Sequence, residues 1–106
     1  MLSVETPKEK GAPTRLRIYG ELVIQGIAEM RPELLRTLDA IPKGTSIEVD
    51  LSEVESVDTT GVQLIVAMLR HVHSRGDMIE ITHHSPSTFN ATEVFGLQDV
   101  IGLGRI

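Results

Sequence analysis

SIEVDLSEVESVDTTGVQLIVAMLRHVHSRG, residues 46–76, contains the change of period from which the fold is read. Ile47, Val49 and Leu51 alternate with Glu48 and Asp50, the two-residue period of a strand with one covered and one wet face. Val62, Ile65, Val66, Leu69 and Val72 then recur at spacings of three and four, the apolar stripe of an amphipathic helix. Between the two, SEVESVDTTG reads as a polar loop anchored by Val54 and Val57. The helix is predicted from about Thr60 to Ser74, with Gly76 as its stop.

Working outward, the same alternation predicts strands at Ser46–Leu51, Met78–Thr82 and Thr14–Tyr19, with a shorter one at Leu2–Thr6. TPKEKGAP, residues 6–13, is a turn-rich connection, so the first two strands should pair antiparallel. Gly20 and Glu21 break the second strand. Ile27, Met30, Leu34, Leu35, Leu38 and Ile41 form another helical stripe, ended by Pro42 and Gly44. Pro32 is tolerated only in a first turn, which places the regular helix start near Ala28. Ser85-Pro86 reads as an N-cap with proline at the first helical position. It opens a short third helix carrying Phe89, Val94 and Phe95, capped by Gly96. Val100 and Ile101 add a last short strand or turn. Strands alternating with helices imply parallel pairing through right-handed crossovers. The expected class is α/β: one domain, residues 1–106, with a mixed sheet of four to five strands and three to four helices packed on it.

Composition removes whole classes of function. No cysteine means no disulfide, no thiol chemistry and no Cys-ligated metal. A net charge of −5 and 3% aromatic residues argue against nucleic-acid binding. No apolar run approaches the roughly 20 residues of a bilayer span, so direct membrane insertion is not expected. MLSVETPKEKGAPTRLRIYG lacks the apolar core of a secretory signal, and a cytoplasmic protein is the expectation. Residues 37–60 alone carry −5, from Asp39, Glu48, Asp50, Glu53, Glu55 and Asp58 against Lys43. Two uses fit: solvated strand and turn surfaces, or an acidic surface that steers a partner.

Asp58-Thr59-Thr60-Gly61 lies where the loop meets the second long helix. Thr59 or Thr60 is the natural N-cap, and a helix start favours an anion. Gly61 lacks a side chain, so a partner's backbone can approach. The plain alternative is an ordinary helix cap.

LRIYGEL, the amphipathic helix, and SIEVDLSEVESVDTTGVQLIVAMLRHV in that order resemble the STAS superfamily, the fold of bacterial anti-sigma-factor antagonists. The likeness rests on the Val57-Asp58-Thr59-Thr60-Gly61 loop and the Gly20-Glu21-Leu22 turn, and spans about residues 14–101. It implies a protein-binding regulator, not an enzyme, whose partner is an anti-sigma factor or serine/threonine kinase. The hydroxyl residue after the Asp is the family's phosphorylation position, here Thr59, with Thr60 as the alternative. Glu55, Asp58, Thr59, Thr60 and Gly61 then form the partner surface with Val23 and Ile24, a docking patch if exposed and loop anchors if buried. The chain departs from the family in having Thr where serine is usual, and Val23-Ile24 where a polar residue often follows the turn. Thr in this loop also occurs in STAS subunits of transporters or chemosensory complexes, the alternative function. A homo-oligomer is compatible with either reading.

His71 and His73 point to different sides of a helix end, and His83-His84 follow a strand. Neither pair designates a third ligand, so no metal and no cofactor is expected. No phosphate-cradling glycine loop or nucleophile elbow is present, and only Asp58 neighbours Thr59 as a base.

Overall fold

A computed structural model describes residues 2–5 and 11–94. The elements in chain order are β1 (Leu2–Glu5), β2 (Thr14–Leu22), α1 (Ile24–Ala40), β3 (Ile47–Val57), α2 (Thr59–Ser74), β4 (Ile79–His84) and α3 (Pro86–Val94). The sheet order is β1-β2-β3-β4, with β1 antiparallel to β2 and the β2–β3 and β3–β4 pairs parallel. Four strands and three helices among the described residues match the expected mixed α/β sheet. Phe95, Gly96, Val100 and Ile101 lie outside the described residues.

The alternation sorts as expected. Leu16, Ile18 and Leu22 of β2, Ile47, Val49 and Leu51 of β3, and Ile81 of β4 are buried. They meet Met30, Leu34 and Leu38 of α1 and Leu64, Ile65, Met68, Leu69 and Val72 of α2. Burying each such side chain contributes roughly 1.5–3 kcal/mol, which is what fixes the helices on the sheet.

Four boundaries differ from the sequence reading, each for a physical reason. β4 ends at His84, not Thr82: one extra residue after Ile81 shifts the register, and His83 and His84 pair with Asp50 and Leu51 inside the strand instead of following it. β3 does not end at Leu51 but continues through the predicted loop to Val57. Against β2 its register slips twice: Arg17 faces Asp50 while Tyr19 faces Glu53, and Gly20 faces Val54 while Glu21 faces Ser56. Each slip inserts one extra residue in β3, a bulge that breaks the period of two. The anchors Leu51, Val54 and Val57 are therefore three apart, which looks like loop. β2 likewise runs on through Gly20, which takes φ 90°, to Leu22. α1 begins at Ile24, not near Ala28, and Pro32 sits inside it. Ala28 and Pro32 are both exposed, so water can serve the carbonyl that proline leaves unbonded.

The helix ends are tied together. The Arg75 guanidinium donates to the Leu38 and Ile41 carbonyls at the end of α1, at 2.6 and 2.8 Å. Its ion-pair partner Asp77 lies 2.9 Å away, and both side chains are nearly buried. Asp77 also accepts from the Gly44 N–H at 2.8 Å. At α3, Ser85 and Thr88 cap each other: the Thr88 N–H donates to Ser85 Oγ at 3.1 Å and the Ser85 N–H to Thr88 Oγ1 at 2.8 Å.

Candidate functional site: the Asp58 loop

The parallel strands β2 and β3 end side by side, with Leu22 facing Val57. Each chain then turns straight into a helix, so the starts of α1 and α2 lie next to each other. Open α/β sheets place binding residues at this carboxyl end of their strands.

Asp58 joins the two starts. It is the N-cap of α2, with its Oδ1 accepting from the Gly61 N–H at 3.0 Å. Its Oδ2 accepts from the Ile24 N–H, the first of α1, at 2.8 Å. α1 has no cap of its own, since Val23 supplies no side-chain bond. This second bond is why α1 starts so early, and no local sequence rule reveals it because the partners are 34 residues apart. The hydroxyl of Thr60 also donates to Asp58. That bond, with the N–H groups of Ile24, Gly61 and Thr60, outweighs burial and holds the Asp58 carboxyl below its ordinary value.

The two threonines therefore differ. The cap is Asp58, not Thr59 or Thr60. Thr60 is half-buried with its hydroxyl engaged. Thr59 is exposed, and its hydroxyl has no hydrogen bond among the described residues.

Gly61 is buried, and the reason for it differs from the expected one. A Cβ there would lie 2.1 Å from the Leu22 carbonyl oxygen. The missing side chain lets α2 pack on the end of β2; it does not open a path for a partner. Ile24 is 63% exposed beside Asp58, while Val23 is half-buried. Glu55 is exposed, and its carbonyl accepts from Ser87 Oγ of α3 at 2.7 Å. The loop thus brings Ile24, Asp58, Thr59 and Thr60 together, with the half-buried Val23 preceding Ile24 and the Glu55 backbone tied to α3.

The acidic surface is narrower than the sequence suggested. Arg15 of β2 lies 3.7 Å from Glu48, and Arg17 lies 4.0 and 3.8 Å from Asp50 and Glu53. Asp39 contacts His71 at 2.8 Å. Among the described residues Glu55 and Asp58 form no ion pair, and the partner of Asp39, His71, is cationic only when protonated. Long-range steering by all six is thereby reduced to a local effect at the loop.

No group of three His, Asp or Glu residues is placed to hold a metal ion among the described residues. No helix there is long and apolar enough to cross a membrane.

Comparison with known proteins gives a family and a fold. The family model described as "Mlab, STAS domain" matches residues 5–103. An anti-sigma factor antagonist from Mycobacterium paratuberculosis has a similar structure, with TM-score 0.71 at 15% identity, over 95% of this chain and 83% of that one. The anti-sigma factor antagonist SpoIIAA in its unphosphorylated form gives 0.65 at 18% identity, over 92% and 82%. No curated protein matches the sequence.

Proposed function

The chain belongs to the STAS-domain family, and from that membership we propose that it is a cytoplasmic protein-binding regulator of the anti-sigma-factor-antagonist kind. Its loop around Asp58 docks on a partner, and a serine/threonine kinase switches the contact by phosphorylating Thr59. One observation carries this reading: Thr59 presents an unbonded, exposed hydroxyl beside a carboxylate that pins two helix starts. Thr60, held by Asp58, is the poorer acceptor. A phosphate adds about −1.5 to −2 charge and bulk. Set next to Asp58, which is held ionised, it turns a mildly acidic contact into a strongly repulsive one. The cytoplasm fits because the modifying kinase uses ATP there.

The test is phosphopeptide mapping after incubation with ATP and an anti-sigma-type kinase encoded in the same genome, alongside binding of that kinase. Phosphate should arrive at Thr59 and be lost in Thr59→Ala, and Thr59→Glu should bind at least tenfold more weakly. An unmodified Thr59, with wild type and Thr59→Glu binding equally, would sink the proposal.

The exposure of Ile24 supports a second reading, a STAS subunit of a transporter or chemosensory complex that docks through its apolar edge without phosphorylation. In that case Ile24→Asp abolishes association and Thr59→Glu leaves it intact.

A further inference from the structure

A groove of about 580 Å³ runs between α1 and α2, beginning with Val62 and Gln63 one helical turn beyond Thr59. Leu35 of α1 and Val62, Val66 and Ala67 of α2 supply its apolar lining. Val62 is only 4% exposed yet stands outside the main core cluster, so it serves as the floor of the groove. Arg31 of α1 and Arg70 of α2 flank it, one from each wall. Both are exposed, and neither guanidinium has an ion-pair or hydrogen-bond partner among the described residues. No carboxylate lines the groove, although the chain as a whole carries −5.

We propose that this groove receives an acidic amphipathic helix of a protein partner. The cationic rim selects the sign of the partner's charge. Because β2, β3 and β4 are parallel, α1 and α2 run side by side in one direction. The furrow between two such helices is a shape that a third helix can fill with its own apolar stripe. An anionic bilayer is a poorer occupant, since its wider surface would face the chain's negative charge, whereas a single helix meets the two arginines, Gln63, and His71 with its partner Asp39. The inference goes beyond the loop, because none of these residues belongs to the Asp58–Gly61 segment.

The test titrates the full ¹⁵N-labelled chain with a designed helical peptide of about 18 residues, long enough to hold helix in water. The peptide carries leucines on one face bordered by glutamates; a second has the same leucines bordered by lysines. Vesicles of phosphatidylglycerol form a third arm. The glutamate peptide should shift the amide signals of Arg31, Leu35, Val66 and Arg70, more weakly at high salt. The paired substitution Arg31→Glu with Arg70→Glu should weaken it about tenfold or more with an unchanged melting curve. If that variant unfolds, Arg31→Gln with Arg70→Gln serves instead. Thr59→Ala, which removes the loop's phosphate acceptor without adding charge, should leave the binding unchanged, which separates this outcome from that of the loop proposal. The inference is overturned if the lysine peptide binds as well, if the shifts fall elsewhere, if only vesicles bind, or if nothing binds.

Discussion

Replacing Gly61 by alanine should destabilise the domain, while replacing Gly26 should do the reverse. Both glycines lie in helices, so propensity alone favours alanine at each by about 0.5–1 kcal/mol. Space decides between them. A Cβ at Gly26 meets nothing within 4 Å. A Cβ at Gly61 meets the Leu22 carbonyl oxygen at 2.1 Å and the Leu22 Cβ at 2.8 Å. The nearer obstacle is backbone at the end of a paired strand, so no rotamer change relieves it. Restoring ordinary contact, which begins at 3.4 Å, requires α2 to retreat by about 1.3 Å. Overpacking of this kind costs about 1–3 kcal/mol, and a backbone clash belongs at the top of that range. Set against the propensity gain, the net loss is about 2 kcal/mol, which for a domain of this size is a fall of roughly 8–16 °C in melting temperature. Thermal and urea unfolding followed by circular dichroism will measure it, with Gly26→Ala melting a few degrees above wild type. Should Gly61→Ala also melt above wild type, the close approach of α2 to β2 is wrong. The packing argument for the loop then goes with it.

Arg75→Met should cost about 3 kcal/mol by urea denaturation, because it strands the nearly buried Asp77 carboxylate and two carbonyls at the end of α1; a change below about 0.5 kcal/mol would contradict the tie. The Asp58 carboxyl is held below 3.8 by the Thr60 hydroxyl first and then by backbone N–H groups. Its contribution is present above that pH and is lost as pH falls through the lower folded value. Asp58→Asn should therefore be less stable at neutral pH and show a shallower acid limb when melting temperature is plotted against pH. The ring of His84, 5.0 Å from Phe89, has its pKa pushed below 6.5 by burial, aided by His83. A depressed histidine binds its proton less well folded than unfolded, so stability falls as pH drops below 6.5. His84→Phe should flatten the melting temperature between pH 6.5 and 5, and an unchanged slope there would count against the buried ring.

The sequence made the alternating strands and the striped helices legible because each side chain in them reports its own burial. Leu16, Ile18, Ile47, Val49 and Leu51 went to the core as their spacing required. What stayed hidden depends on partners far along the chain. The bulges of β3 exist only in relation to β2, so residues 52–57 read as loop. The start of α1 depends on a carboxylate 34 residues away, and its own first turn carries no capping residue. Leu64 and Met68 fall outside the stripe of Val62, Ile65, Val66, Leu69 and Val72, yet both are buried, because α2 is covered on a broader face than that stripe. At the loop, residue types alone could not rank Thr59 against Thr60; the geometry separates them because one hydroxyl is taken by Asp58 and the other is not. Nor could composition foresee that Arg15 and Arg17 would offset three of the six clustered acids, since that pairing is set by strand register.

The bulges have a further consequence in height. Between the paired positions Thr14–Ile47 and Leu22–Val57, β3 spends two more residues than β2. Laid out without bulges, those residues would carry Val57 roughly 6.6 Å past Leu22, at about 3.3 Å per residue. The two strands instead finish level, and the launching points of both helices are flush. Only then can one carboxylate reach 2.8 Å from a neighbouring helix and 3.0 Å from its own. The apparent surplus of chain in β3 is thus slack taken up to set an elevation. Removing a single bulge residue would not merely shorten a strand; it would lift the loop off its neighbour and leave the first helix without its anchor.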